Sequence, residues 1–361
     1  MSFPRRALLA SFTAAILGLA LPASSAPPSD PLAAAIARWA RISADTTSKV
    51  EMTRDTRGFV RPVITGAESA LRDGRRELAL YRLAYAWSNL AAAEYVATQT
   101  AAGHADSAGL ESEWKRMRGV LGVSAARPAE NALQTLQPAA VRAFAEAALP
   151  QVAIYYEASL DYGRATGPES GLYYLGSALA QKEFVEFSRT LSEARSGAPL
   201  PARAIVTEID ALERALLAAY RPPASIDSHR DFIVASAAIK EARELEALGF
   251  HHGALVRYLL AAMRTGVLRR GVAPREAAPI ATALRDLDAR LKAENRDHSI
   301  GRFFLQVAGA DLAIPDSSHT TALVVAEEVL PLYLAALQPA RPVAARPAPV
   351  VTVTLVRWPY T

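Results

Sequence analysis

Apolar residues recur at the helical period of about 3.6 along nearly all of the chain between residues 30 and 337. Clusters of proline, glycine and small polar residues interrupt this pattern at short intervals, as at 166–168 and 221–223. No segment before residue 350 has the strong alternation of a strand. The pattern predicts helices over 31–39, 63–72, 77–97, 111–121, 138–162, 168–191, 201–220, 227–248, 253–268, 274–291, 299–312 and 320–337.

Helices separated by such short breaks fold back on one another as antiparallel hairpins. We therefore expect an all-α protein in which residues 27–337 form one α-helical hairpin domain, either an irregular solenoid or a bundle. Asp30 and Pro31 mark the first helix, because aspartate is a favoured N-cap and proline at the first helical position loses no needed hydrogen bond. The composition agrees, since 51% hydrophobic and 21% charged residues are not typical of a disordered chain.

Residues 1–26 have the three parts of a secretory signal peptide. Arg5 and Arg6 form the positive start, residues 7–21 form an apolar run, and residues 23–26 are the small side chains of a cleavage site. The segment predicts export, with a periplasmic or extracellular location. An uncleaved membrane anchor is the alternative interpretation, and the arginine pair leaves general and twin-arginine export both open.

Charge and cysteine content narrow the classes of function. The chain has no cysteine, which excludes disulfides, thiolate metal sites and a cysteine nucleophile. The predicted signal peptide carries two arginines and no acidic residue, so the net charge of the remainder falls from +4 to +2. This near-neutral charge, without a long basic run, argues against a nucleic-acid surface. No later run reaches about 18 apolar residues, so we expect no integral membrane span in the mature chain.

Three segments, 63–86, 155–178 and 238–261, share a spacing of small and large residues along two consecutive helices. The shared positions are Ala67, Ala70, Gly74, Ala79, Leu83 and Ala86, then Ser159, Tyr162, Gly171, Leu175 and Ala178, then Ala242, Leu245, Gly249, Ala254, Tyr258 and Ala261. Small residues let two helices approach closely, and larger residues fill the gap between neighbours. The pattern resembles a degenerate tetratricopeptide repeat, which implies stacked hairpins with ligand-facing side chains on the first helix of each.

That resemblance assigns a small set of side chains to the ligand-facing helices. Arginine guanidinium groups among them would clamp a carboxylate or a peptide terminus. The alternative for each residue is a solvated helix face on which charges pair at a spacing of four residues. The candidates for binding a protein or peptide partner are Arg61, Glu68, Arg72, Tyr156, Arg164, Arg243 and Glu246.

The composition changes after the last predicted helix. Residues 338–349 are rich in proline and are typical of a semi-rigid spacer. Residues 350–361 are β-branched and end in aromatic residues, which is the composition of a strand. A strand needs a partner for its backbone N–H and C=O groups. We therefore expect this tail to dock along its own helical body, or to add to another protein or a second copy of this chain. The alternatives are a frayed terminus and a processing or sorting signal. Trp358 and Tyr360 would be its anchors in a docked state.

Sequence motifs for catalysis are missing from the chain. It contains no phosphate-binding loop, no His-Glu-x-x-His and no Gly-x-Ser-x-Gly, and we expect no cofactor. The adjacent His251 and His252 point about 100° apart on a helix and cannot easily share a metal ion. Asp297, His298 and Ser299 are the three residue types of a hydrolase catalytic triad. Contiguous residues cannot form the chain of hydrogen bonds that a triad needs, so we expect a helix cap instead.

These observations predict an exported, non-enzymatic α-helical scaffold or adaptor that binds a protein or peptide, at the cell envelope. The alternative is a helical hydrolase or lyase acting on envelope polymers through a Glu or Asp acid that carries no sequence signature. A third hypothesis is a binder of small ligands or metals in a helical groove. A buried acid in a deep polar cleft would favour the enzyme.

Overall fold

The computed structural model describes residues 30–122, 133–191, 198–201, 203–222, 226–271, 273–315 and 317–338. Within these ranges the chain forms 12 helices and no strand, which confirms the predicted all-α class. The one β-type contact there is an isolated bridge between Ala198 and Arg296. The predicted signal peptide and the predicted tail, including Trp358 and Tyr360, lie outside the described residues.

The helices follow one another with short connections. The last of them runs from Thr320–Val324 through a π-helical turn at Val325–Val329 into Leu330–Ala336, and is labelled α12 as a whole. The others are α1 (Pro31–Ala44), α2 (Glu51–Arg72), α3 (Arg76–Ala101), α4 (Ser107–Leu121), α5 (Ala139–Thr166), α6 (Pro168–Thr190), α7 (Val206–Ala219), α8 (His229–Ala247), α9 (His251–Arg270), α10 (Ala277–Ala293) and α11 (Ser299–Leu312).

Local sequence explains where several helices begin and end. Asp30 caps α1 as predicted, because its carboxylate accepts a hydrogen bond from the backbone N–H of Leu32 at 3.0 Å. Between α8 and α9, Gly249 has φ +78°, a left-handed conformation that glycine adopts without a Cβ penalty. The turn at Gly249 therefore reverses the chain within a few residues and places α9 against α8.

The start of α2 corrects the sequence prediction. The helix begins at Glu51, not at residue 63, and continues through Pro62. Proline removes one helical hydrogen bond, but the carbonyl left without its donor belongs to Gly58, which is exposed to water. On the opposite face, Val60 and Ile64 are fully buried and carry the apolar stripe across the proline, so tertiary packing outweighs the local cost.

Four helices lie side by side through the middle of the molecule, in the order α3, α6, α5 and α9. At the two ends of this row, α2 packs against α3 and α8 packs against α9. Helix α11 packs against both α3 and α5, where Phe303 contacts Tyr81 and Phe144 at ring-centre distances of 5.0 and 5.4 Å. This aromatic cluster closes the core between the outer and central helices.

A buried carboxylate fixes α5 against the start of α9. Glu146 accepts a hydrogen bond from Nε of Arg142 at 2.6 Å and another from the backbone N–H of Gly253 at 2.8 Å. The second bond satisfies an amide in the first turn of α9, which has no partner within its own helix. Gly253 allows the close approach, because a Cβ there would lie 2.9 Å from the Cβ of Glu146.

The Asp297-His298-Ser299 sequence is a cap, as predicted, and it serves two helices. Asp297 accepts from the backbone N–H of Ser299 at 2.9 Å and from that of Ala139 at 2.6 Å, and the Ser299 hydroxyl accepts from the N–H of Ala140 at 2.9 Å. The first turns of α11 and α5 are thereby satisfied together. His298 is buried and lies 2.9 Å from the hydroxyl of Tyr333, so it is part of the core.

Each of the three segments with the repeat-like spacing spans a pair of packed helices. Residues 63–86 lie on α2 and α3, residues 155–178 on α5 and α6, and residues 238–261 on α8 and α9. The turn of the second pair is at Gly167, and Gly171 lies inside α6. The resemblance to the tetratricopeptide repeat stays a prediction. In the part of the chain that the structure covers, no helix has the length and apolar character of a membrane span.

The close contact between α3 and α6 depends on Gly176. A Cβ at this position would lie 2.8 Å from the Cβ of Tyr95 and 2.9 Å from the Cα of Ala92. We predict that Gly176→Ala lowers the free energy of unfolding by about 1–3 kcal/mol, because the two helices must separate. Urea denaturation measures the change. Gly119→Ala is the matched control, since Gly119 is exposed with open space at its Cβ, and it should raise stability by about 0.4–1 kcal/mol. Equal effects of the two substitutions would contradict the packing argument.

Candidate functional site

A groove of about 360 Å³ crosses the central row of helices and is called the tyrosine groove below. Its volume is within the usual range of ligand pockets, about 300–1,000 Å³. Residues from α3, α5, α6, α8 and α9 line it. The lining contains five tyrosines (Tyr81, Tyr85, Tyr155, Tyr173 and Tyr174), five uncharged polar residues (Ser88, Asn89, Gln151, Ser177 and Gln181), three alanines (Ala84, Ala147 and Ala148), four apolar residues (Phe144, Phe184, Val256 and Leu260) and the charged residues Glu241 and Arg257.

Helical spacing places these side chains on common faces. The lining positions recur every three or four residues, at 81, 84, 85, 88 and 89 on α3 and at 144, 147, 148, 151 and 155 on α5. The sequence signal for the groove is therefore a stripe of tyrosine, amide and small residues where an ordinary amphipathic helix has aliphatic ones. The stripe does not identify a groove in the sequence, because one helix alone does not show which neighbours face it.

Side-chain hydrogen bonds hold the walls of the groove in place. The Tyr173 hydroxyl donates to Oδ1 of Asn89 at 2.9 Å, and Nε2 of Gln181 donates to Oγ of Ser88 at 2.8 Å. Nδ2 of Asn89 in turn donates to the carbonyl of Tyr85 at 2.8 Å. Because these bonds join α3 to α6, the polar groups on this side are positioned before any ligand arrives.

Other polar groups in the groove are free to bind a ligand. The hydroxyls of Tyr81, Tyr85 and Tyr155 and the amide of Gln151 make no hydrogen bond within the described part of the chain. All four residues are at least partly accessible to solvent. A ligand with carbonyl oxygens would find four donors here, beside aromatic rings that cover its apolar parts.

The hydroxyls of Tyr85, Tyr155 and Tyr173 stay protonated in neutral solution and can act as donors. Burial raises the pKa of Tyr173 to about 12, with smaller contributions from Tyr155 and Tyr85. Burial also raises the pKa of Tyr85, and it raises that of Tyr155 together with the negative charge of Glu241. Their neutral, donating form is the one that a ligand would meet.

One ion pair is the only charged feature of the described lining. Nε of Arg257 on α9 lies 2.8 Å from Oε2 of Glu241 on α8, and both side chains are about 30% exposed. The pair leaves the groove without net charge, and the groove contains a single carboxylate. This lining suits an uncharged ligand better than an anion or a cation.

The candidates from the repeat resemblance lie outside the groove lining. Arg61 donates to the carbonyl of Ser43 at 2.9 Å and ties α2 to α1. Arg243 lies 2.8 Å from both Asp210 and Glu213, and so joins α8 to α7. These two arginines therefore make contacts within the helical body in the described structure.

The remaining candidates divide between the core and the surface. Tyr156 is buried and stacks on Trp114 at a ring-centre distance of 5.1 Å, and Glu246 is also buried, with its carboxylate 3.1 Å from Nδ1 of His251. Arg164 is exposed beside Asp161, at 3.8 Å. Glu68 is partly buried and Arg72 is exposed, both on α2. The structure does not bring these side chains together into one site.

The two adjacent histidines face different surroundings, as the helical geometry predicts. His252 is buried near Glu146, whereas His251 is partly exposed and contacts Glu246. A cavity of about 10 Å³ beside them, also lined by Leu255, has room for roughly one water molecule. Across the described residues, no group of three or more His, Cys, Asp or Glu side chains is placed to hold a metal ion.

Comparison of the chain with protein-family models, with curated proteins and with solved structures finds no match. The chemistry of the site therefore has to be inferred from its own geometry. The tyrosine groove is much larger than the cavity beside the two histidines, and it combines aromatic rings, unpaired donors and small side chains.

The ion pair in the groove should stabilise the contact between α8 and α9. We predict that a double-mutant cycle with Glu241→Gln and Arg257→Gln gives a coupling energy of about 1 kcal/mol in urea denaturation. The control cycle uses Lys240→Gln and Glu244→Gln, which lie 3.8 Å apart on the exposed side of α8 and should couple by only about 0.3 kcal/mol. A coupling energy no larger in the groove than at the surface would contradict this prediction.

Stability should fall in acid because His252 resists protonation in the folded state. Burial, and then the charge of Arg142, lowers the pKa of His252 to about 4, against an ordinary value of 6.5. Between these two pH values this side chain binds more protons in the unfolded chain, so the contribution of His252 to the free energy of unfolding should decrease by about 3 kcal/mol at most as the pH falls from 6.5 to 4. The slope of stability against pH should be reduced in His252→Gln and retained in His104→Gln, which replaces an exposed histidine. Identical slopes in both variants would rule out this assignment.

Proposed function

We propose that this chain is an exported, non-catalytic helical protein that binds a short stretch of extended peptide in the tyrosine groove. The observation that carries the proposal is the lining, in which unpaired tyrosine hydroxyls and the Gln151 amide lie beside aromatic rings and alanines. The predicted signal peptide supports export to the periplasm or outside the cell. The several unpaired donors beside aromatic rings support a chain-like ligand, because such a ligand offers a carbonyl at every residue.

Small side chains support a ligand that lies deep between the helices. Ala84, Ala147 and Ala148 line the groove between larger residues and leave room for ligand atoms. The α5–α9 contact at Glu146 and Gly253 lies next to Ala147 and Ala148 along α5, so a fully buried contact adjoins the groove. A preformed groove of this kind binds with little loss of conformational freedom in the protein.

The alternative of a polymer hydrolase or lyase gains less support from the same residues. Most glycoside hydrolases need two carboxylates on either side of the bond that they break. The described groove lining has one, Glu241, and Arg257 already pairs with it. The buried Glu146 does not line the groove, and the cavity beside His252 has room for only about one water molecule. Binding is therefore the function that the groove supports best.

Filling the groove tests the proposal. Wild-type protein and Ala84→Trp are exposed to an array of ten-residue synthetic peptides, and peptides that bind are re-measured in solution by fluorescence anisotropy. We predict that Ala84→Trp weakens binding by at least about tenfold, because Ala84 lines the groove and is only partly buried, so the indole occupies the ligand volume. Gln151→Leu, which removes a donor without filling the groove, should weaken binding by about three- to tenfold.

The matched control is Ala283→Trp, at an exposed alanine of α10 outside the groove, and it should bind as wild type does. Circular dichroism of each variant establishes that the helices and the melting temperature are retained. If no peptide binds the wild-type protein, or if both tryptophan variants bind equally well, the peptide-binding proposal is wrong.

A further inference from the structure

The ion pair that lines the groove has unused hydrogen-bonding capacity. Nε of Arg257 lies 2.8 Å from Oε2 of Glu241, but the two atoms do not have the alignment of a hydrogen bond, so their contact is electrostatic. Within the described residues, Nη1 and Nη2 of Arg257 and Oε1 of Glu241 make no hydrogen bond. Both side chains line the groove and are about 30% exposed, so these outer atoms are available to a ligand.

A nearby arginine on α8 shows a different arrangement. Nη2 of Arg243 donates to Oδ1 of Asp210 and to Oε2 of Glu213, both at 2.8 Å. Its terminal nitrogen is therefore occupied by contacts within the helical body. Arg257 instead turns its Nε edge toward Glu241 and leaves the terminal edge of the guanidinium group open.

We propose that the Glu241–Arg257 pair determines the specificity of the tyrosine groove by binding both backbone groups of one ligand residue, its C=O on Arg257 and its N–H on Glu241. The ligand residue at this point therefore cannot be proline, which has no backbone N–H. This inference rests on the proposed peptide-binding function and names the feature of a peptide that the groove selects.

Charge favours a neutral ligand group that carries both a donor and an acceptor. A carboxylate that approaches Arg257 also meets the negative charge of Glu241, and an ammonium group that approaches Glu241 meets the positive charge of Arg257. A residue within a peptide chain has no backbone charge, and in an extended chain its N–H and C=O point to the same side. Such a residue can satisfy both side chains at once.

The N–H groups of a bound peptide need acceptors, and two of those in the groove are already used. Oδ1 of Asn89 accepts from Tyr173, and Oγ of Ser88 accepts from Gln181. Glu241 carries the only carboxylate of the described lining, and an ionised carboxylate accepts hydrogen bonds without donating any. Glu241 therefore marks the point in the groove at which a ligand N–H is required.

The surroundings of the pair strengthen hydrogen bonds made there. Tyr155 lines the same groove, and its pKa is raised by burial and then by the charge of Glu241, while the charge of Arg257 lowers it. The pair thus acts on a tyrosine that is itself largely withdrawn from water. Hydrogen bonds to ionised groups are stronger than neutral ones, and they gain further where water is excluded.

N-methylation of the ligand tests this assignment, because it removes one backbone N–H and keeps the side chain. The probe is the tightest-binding ten-residue peptide of the array, synthesised with a single N-methyl group at each residue in turn, and also with its terminal carboxylate amidated. Fluorescence anisotropy measures the affinity of each form for the full-length protein and its variants.

The test variant is Glu241→Met/Arg257→Met, which removes both charges together so that neither is left without a partner. The matched control is Lys240→Met/Glu244→Met, which removes an exposed pair of the same charges, 3.8 Å apart on α8. Circular dichroism establishes that each variant is folded. Glu241→Gln/Arg257→Gln keeps the shape of both side chains and provides the same measurement if the methionine variant does not fold.

We expect N-methylation at one position to weaken binding to the wild-type protein by at least about tenfold, because a hydrogen bond to a carboxylate is lost. The same methylation should cost less than about threefold with Glu241→Met/Arg257→Met, and the full tenfold with the control variant. In Glu241→Gln/Arg257→Gln the loss should also be smaller than in the wild type, because an amide oxygen is a weaker acceptor than a carboxylate.

Two results would overturn the inference. One is a loss on N-methylation that is equal in the wild type and in Glu241→Met/Arg257→Met, or no sensitive position at all. The other is a loss on amidation of the peptide that disappears in Glu241→Met/Arg257→Met, which would assign the pair to the end of a chain rather than to its backbone.

The outcomes separate this inference from the proposed function. If peptides bind the groove but no N-methyl position depends on the pair, the peptide-binding function stands and the assignment of Glu241 and Arg257 is wrong. If no peptide of the array binds the wild-type protein, the proposed function and this inference are both wrong.

Discussion

Glu146 is the buried charge on which the arrangement of the central helices depends. Its carboxylate is satisfied by Arg142 on its own helix and by the Gly253 amide at the start of α9. Removing one partner of a buried charged contact typically costs about 3–5 kcal/mol, because the other group is left without compensation. The contact joins α5 to the first turn of α9 at a point where Gly253 allows close approach.

The groove lies among helices that approach closely at two glycines and that carry alanines along its lining. Gly176 and Gly253 bring helices into contact at the backbone, where a Cβ would collide with a neighbour. Ala147 and Ala148 instead leave space on the groove side of α5. A row of helices with large side chains on both faces would have no such depression. Small side chains thus account both for the close helix contacts and for the space in the groove.

Local patterns in the sequence were sufficient for much of the fold. The period of apolar residues predicted the all-α class and the approximate position of every helix, and Asp30 and Asp297 were recognisable as caps. The start of α2 was missed, because proline at position 62 locally disfavours a helix and only the buried stripe on the opposite face outweighs it. Local signals therefore predict the existence of elements better than their limits.

The candidate site could not be predicted from local sequence patterns. Tyr85, Gln151, Tyr173 and Arg257 each occupy an ordinary position on an amphipathic helix, and nothing within one helix distinguishes a groove residue from a surface residue. The amino-acid sequence by itself determined that the chain is helical, that it has no cysteine chemistry, and that a proline-rich segment follows the last helix. Only the tertiary structure decided which faces meet, because the packing of α3, α5, α6, α8 and α9 joins residues nearly 180 positions apart in the chain.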